Sequence, residues 1–100
     1  MILVSELAKA ALWESLQESG VAPDQGLRLS AIQGAIILDL DYATDGDHVI
    51  EHRDSAVIIV DRETENLVGD AIIDIHEGEN GSELVFRKIF SNGHRPDLDL

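Results

Sequence analysis

The period of the hydrophobic positions changes once along the chain. Val4, Leu7, Ala8, Ala11, Leu12 and Leu16 line one side of a helix of about 3.6 residues per turn, which predicts a helix from about Ser5 to Ser19. Ser5 is its natural N-cap, Glu6 places a carboxylate at the positive end of the helix dipole, and Gly20 and Pro23 end the run. Trp13 falls off the stripe, one turn from Lys9 and Gln17, so partial exposure is expected for it.

From Gly26 the pattern becomes short β-branched and aliphatic runs separated by turn residues, which predicts strands. Leu27–Ile32 and Ala35–Tyr42 are separated by Gln33 and Gly34 alone, the signature of an antiparallel hairpin. In the second run Ile36, Leu38, Leu40 and Tyr42 share one face and Ile37, Asp39 and Asp41 the other, a half-buried strand that turns polar as it proceeds. Asp45-Gly46 signals a further hairpin into a short strand at His48–Glu51, followed by a polar link through Arg53 and Asp54 to a strand at Ala56–Val60. Asp61 stands as an N-cap for a short helix over Arg62–Val68 that Gly69 stops, and strands at Ala71–His76 and Glu83–Lys88 flank a Gly- and Asn-bearing loop. Residues 1–90 are expected to form one domain and 91–100 a polar, flexible tail. A helix, six strands and an inserted helix point to a mainly β protein with helices, an α+β sandwich or partly closed barrel.

Composition narrows the function classes. Twenty acidic residues against seven basic ones give a formal net charge of −13, so direct contact with a nucleic-acid backbone is repulsive and no direct nucleic-acid ligand is expected. The same charge suits a basic protein partner. Cysteine is absent, which removes disulfides, thiolate nucleophiles and sulfur-ligated zinc or iron-sulfur sites. No apolar run approaches a membrane span, and Met1 to Ser5 lacks the basic start and long apolar stretch of a signal peptide. The expectation is a soluble cytoplasmic protein that does not bind membranes.

The candidate chemistry is sparse. Asp39, Asp41, Asp45 and Asp47 around Gly46 superficially resemble a calcium loop, but counting from Asp41 puts Ala43 and His52 where oxygen ligands are required. His48 and His52, with Asp47 and Glu51, form an alternative divalent-metal set, although their spacing on an extended segment is not that of a helical zinc pair. No serine lies in a nucleophile elbow, and no glycines are clustered into a phosphate loop. No catalytic residue and no cofactor are therefore expected. Trp13, Asp39, Asp41, Asp45 and Phe90 are the candidate partner-binding residues, the aromatics as anchors and the acids for steering.

The order of pieces resembles the A-type iron-sulfur carrier family, the HesB or IscA-like proteins, from Val4 to about Arg87. The resemblance lies in Val4-Ser5-Glu6-Leu7-Ala8, Gly26-Leu27-Arg28-Leu29, Leu38-Asp39-Leu40-Asp41-Tyr42, Val57-Ile58-Ile59-Val60-Asp61, the spacing from Asp61 to Asp74, and Leu84-Val85-Phe86. It implies a HesB-like β-sandwich with an N-terminal and a short inserted helix, and family members often form dimers or tetramers. The family holds iron or a cluster through one cysteine after the first hairpin strand and a Cys-Gly-Cys pair near the carboxyl terminus. Those places fall here on Gln33-Gly34-Ala35 and near Ser91-Asn92-Gly93-His94, where no thiolate is present. The best-fitting variant is the cysteine-less, DsrR-like branch found with the dissimilatory sulfite reductase system of sulfur-oxidising bacteria. That resemblance implies a non-catalytic accessory or regulatory protein, a monomer or weak homo-oligomer that acts by contact with a protein partner. The alternative is an iron or other divalent-metal donor using Asp47, His48, Glu51 and His52.

Overall fold

The computed structural model describes residues 1–79 and 81–89. In chain order the elements are β1 (Ile2–Val4), α1 (Glu6–Glu18), β2 (Gln25–Ile32), β3 (Ala35–Tyr42), β4 (His48–His52), β5 (Ser55–Val60), α2 (Arg62–Val68), β6 (Ala71–Gly78) and β7 (Gly81–Lys88). They form two sheets, one ordered β1-β6-β7 and the other β3-β2-β5-β4. The predicted mainly β, α+β class is the observed one.

Both helices start where their caps require. The Ser5 hydroxyl accepts from the Ala8 amide at 3.2 Å and donates to Asp74 Oδ1 at 2.7 Å, so one side chain caps α1 and ties it to β6. Asp61 accepts from the Thr64 amide at 2.7 Å and caps α2, and this bond holds its carboxyl below the usual carboxylate range. The buried stripe of α1 is narrower than predicted. Ala8, Leu12 and Leu16 are buried, whereas Leu7 is 68% exposed, because the sheets cover only the side of α1 carrying every fourth residue from Ala8.

Strands and turns depart from the sequence expectation in four places. Ile2–Val4 is a strand rather than the approach to the helix, pairing in parallel with Ala71–Ile73. Asp45-Gly46 does not close a hairpin, since β3 and β4 lie on opposite edges of their sheet and 43–47 is the crossing between them. The tight turn is instead Arg53-Asp54, expected only to be a polar link, where φ values of 52° and 64° join β4 to β5 in the twisted geometry that two-residue hairpins favour. Gln33 (φ 50°) and Gly34 (φ 82°) make the equivalent turn between β2 and β3, as predicted. The last hairpin is also tighter than expected, with Gly78 already paired to Gly81.

β5 explains the order. Ala56 to Val60 are all buried, so both faces and both edges of this strand are covered: β2 runs parallel on one edge and β4 antiparallel on the other. Its Val57, Ile58 and Val60 side chains join Ile2, Leu12, Leu29, Val68 and Ile73 in a single core. Where β2 meets β5, a Cβ on Gly26 would stand 3.1 Å from the Ala56 carbonyl carbon. Gly26→Val is therefore expected to lower stability by about 1–3 kcal/mol, from the strain of overpacking, measured as a lower urea midpoint at unchanged slope.

Candidate functional site

The acidic segment singled out in the sequence folds onto one cation. Arg28 leaves β2 and donates from Nε to Asp41 Oδ2 at 2.6 Å, from Nη2 to Asp47 Oδ2 at 2.7 Å, and from Nη1 to Asp47 Oδ1 at 3.2 Å. Asp47 also accepts from the Thr44 amide and hydroxyl at 2.8 and 3.0 Å, and its side chain is only 4% exposed. The two-pronged bond from Arg28, then the Thr44 amide, hold the Asp47 carboxyl far below the usual range, and the two aspartates push the Arg28 guanidinium up in turn. Asp41 is likewise lowered by Arg28 and by the Tyr42 amide. These two acids fasten the 43–47 crossing to β2. Asp39 and Asp45 remain exposed and make no ion pair among the described residues.

Three of the four candidate metal ligands, Asp47, His48 and His52, go to separate partners, and Glu51 is exposed. Asp47 faces Arg28, while His48 Nδ1 lies 2.9 Å from Glu65 Oε2 on α2. Burial pushes the Glu65 carboxyl up, but His48 and the Ile2 amide at 3.3 Å together outweigh it and leave it below its ordinary value. His52 meets the Trp13 ring edge-on, with centroids 6.1 Å apart. A register shift between Ile50 and Glu51 also breaks the even alternation on which a shared face for His48 and His52 depends. Among the described residues no group of three or more His, Asp or Glu is arranged to hold a metal. Trp13 is half-buried under the Arg53 guanidinium, 4.8 Å from the ring centroid, and its indole N–H meets no acceptor among the described residues. Phe90 and the 91–100 segment lie outside the described residues.

A feature absent from the sequence reading stands out instead. Among the described residues the sandwich is open between β3 and β7, the outer strands of the two sheets, and an apolar groove runs along the opening. Leu29, Ile36, Leu38, Ile73, Leu84 and Phe86 line one hollow of ≈ 250 Å³. Ile36 and Phe86 continue into a second of ≈ 340 Å³ beside Ala31, Gly34, Leu67 and Val68. Lys88 is the only titratable residue of either lining, and its ammonium group donates to the Val68 carbonyl. Such a wall offers no acid, base or metal ligand; it can desolvate apolar side chains. The second hollow lies beside the Gln33-Gly34 turn, where the resemblance places the family's first cysteine.

No protein-family model and no curated protein matches the chain. Solved structures do match. The crystal structure of Escherichia coli SufA, involved in biosynthesis of iron-sulfur clusters, superposes with a TM-score of 0.68 at 19% identity, covering 87% of this chain and 84% of that one. The fold is that of SufA and IscA. The crystal structure of IscA with the [2Fe-2S] cluster gives a TM-score of 0.58 at 19% identity over 88% of this chain and 85% of that one. A solution structure of a protein from Aquifex aeolicus gives 0.58 at 18% identity over 88% and 91%. The SufA/IscA architecture thus extends over nearly the whole described chain, on a sequence in which four of five positions differ. Among the described residues no helix is long and apolar enough to cross a membrane.

Proposed function

We propose that this chain is a non-catalytic protein-binding module on the SufA/IscA fold, acting by contact with a partner rather than by carrying a cluster. The observation that carries this reading is the apolar groove at the β2–β3 turn, in a sequence without a single cysteine. In this reading the region that holds thiolates in the resembling family receives apolar side chains here. The accessory or regulatory role in bacterial sulfur oxidation follows from the resemblance to the cysteine-less, DsrR-like branch. The net charge of −13 favours a basic partner and opposes stable self-association, in keeping with a monomer or weak homo-oligomer.

Anaerobic incubation with ferrous iron and sulfide, followed by desalting, absorption spectroscopy and elemental analysis, tests the reading against the metal-donor alternative. The expected result is a protein without retained iron or charge-transfer absorption. Iron retained in stoichiometric amount, and lost when His48 and His52 are both replaced by alanine, would overturn the binding-module reading in favour of Asp47, His48, Glu51 and His52 as ligands.

A further inference from the structure

The outer edge of β3, which no described strand pairs, bounds the groove, and the two features together specify a partner more narrowly than a groove alone. Edge strands are ordinarily blunted by shortness, bulges, proline or charge. Here β1 has three residues, β4 carries a bulge at Ile50/Glu51, and β7 places Glu83, Arg87 and Lys88 along its length. β3 has eight residues, no proline, and unbroken register with β2 from Ala35 to Tyr42. Its two charges are Asp39 and Asp41, and Asp41 is already engaged by Arg28.

The register identifies which backbone groups face outward. In a two-residue hairpin the pair flanking the turn, here Ile32 and Ala35, exchanges both hydrogen bonds, and bonded and non-bonded pairs then alternate. Ile36, Leu38 and Leu40 consequently turn their N–H and C=O groups away from β2. Tyr42, next in this series, donates its amide to Asp41 Oδ1, as a residue outside the ladder does. Of the same three residues, Ile36 and Leu38 line the groove and Leu40 is 48% exposed on their face. Among the described residues, unpaired backbone and uncovered apolar side chains coincide here. On the opposite face Asp39 is exposed and without an ion-pair partner among the described residues, since its cross-strand neighbour Arg28 is turned to Asp41 and Asp47.

We propose that β3 accepts an extended segment of a partner protein as an additional strand, with apolar side chains filling the groove and a lysine or arginine on the alternate face opposite Asp39. This rests on the binding-module reading and adds the conformation and sequence pattern of the bound segment. Backbone pairing supplies affinity and the alternating pockets supply specificity. The uncompensated Asp39 on a chain of net charge −13 selects the basic residue over an acidic one.

The test uses blocked octapeptides: alternating valine and lysine, alternating valine and glutamate, and a block peptide with the composition of the first. Binding is followed by fluorescence anisotropy, and amide exchange of Ile36, Leu38 and Leu40 by NMR. The alternating valine-lysine peptide is expected to bind and to protect those three amides; the other two are expected to do neither. Leu40→Pro removes an outward N–H at an edge position where proline is tolerated, and is expected to weaken binding roughly tenfold or more, whereas Leu40→Val keeps both the N–H and an apolar side chain and is expected to lose much less than Leu40→Pro. Thermal melts of both variants verify folding. Equal binding of the block peptide would overturn the proposal by reducing it to charge attraction. Unchanged binding by folded Leu40→Pro would overturn strand addition while leaving a groove that binds partners. Concentration-dependent protection of the three amides in the protein alone would overturn it in favour of a second copy at this edge. The iron and sulfide experiment reads the parent proposal separately.

Discussion

Replacing Arg28 with alanine is expected to destabilise the protein by about 3 kcal/mol, because it strands the nearly buried Asp47 carboxylate and removes charge-assisted bonds at the same time. Urea unfolding would show this as a fall in midpoint. Arg28→Lys should recover only part of the loss, since an ammonium group cannot reproduce the two-pronged contact with Asp47 and the third bond to Asp41 together. The pH dependence gives an independent check. Asp41 and Asp47 have folded pKa values depressed below the unfolded carboxylate value. Their stabilisation is fully present above about pH 4 and is lost as the pH falls through the folded values, so the wild type should lose stability steadily below about pH 4. In Arg28→Ala the main cause of the depression is gone, and the stability curve below that pH should be flatter. An equally steep curve would locate the acid-labile pair elsewhere.

The second large effect lies in the core. Ile58 is fully buried in β5 and sealed on both sides, and Ile58→Ala should cost about 4 kcal/mol, near the top of the range for such truncations. Leu29 is equally buried but forms the floor of the open groove. Its truncation deepens a hollow that water and Ile36 can enter, so Leu29→Ala should cost less, about 2–3 kcal/mol. The comparison reads the openness of the groove from stability alone. A Leu29 variant as costly as the Ile58 variant would mean that the groove is closed in solution.

What the sequence disclosed is mostly local. The Ser5 and Asp61 caps, the extents of both helices, and the Gln33-Gly34 hairpin depend on residues a few positions apart, and each is found as expected. The departures come from pairing across long separations. Asp45-Gly46 has the composition of a hairpin turn, but β5 buries more apolar surface by sitting between β2 and β4, which sends β3 and β4 to opposite edges. Arg53 and Asp54 adopt positive φ because that placement requires it, although neither residue announces it. The site shows the same division. The alternation of Ile36, Leu38 and Leu40 predicts an apolar face, but that no described residue covers it depends on which strand ends at the sheet edge. Asp39, Asp41, Asp45 and Asp47 read as one acidic run until Arg28, 13 and 19 positions before its two partners, divides the engaged acids from the exposed ones.

The parallel pairing of β1 with β6 sets the timetable of assembly. Ile2 registers with Ala71, 69 positions further along the chain, whereas β2–β3, β4–β5 and β6–β7 each close through tight turns. Hairpins of this kind form in about 1–10 microseconds once their residues are free. At synthesis rates of about 5–20 residues per second, β1 waits roughly 3–14 seconds for its partner to be made. During that interval the four-stranded sheet has all its strands before the other sheet has its centre, and the apolar Ile2, Leu3 and Val4 remain unpaired. The nascent chain is exposed to aggregation and to chaperone capture at β1, and that vulnerability ends only when β6 appears.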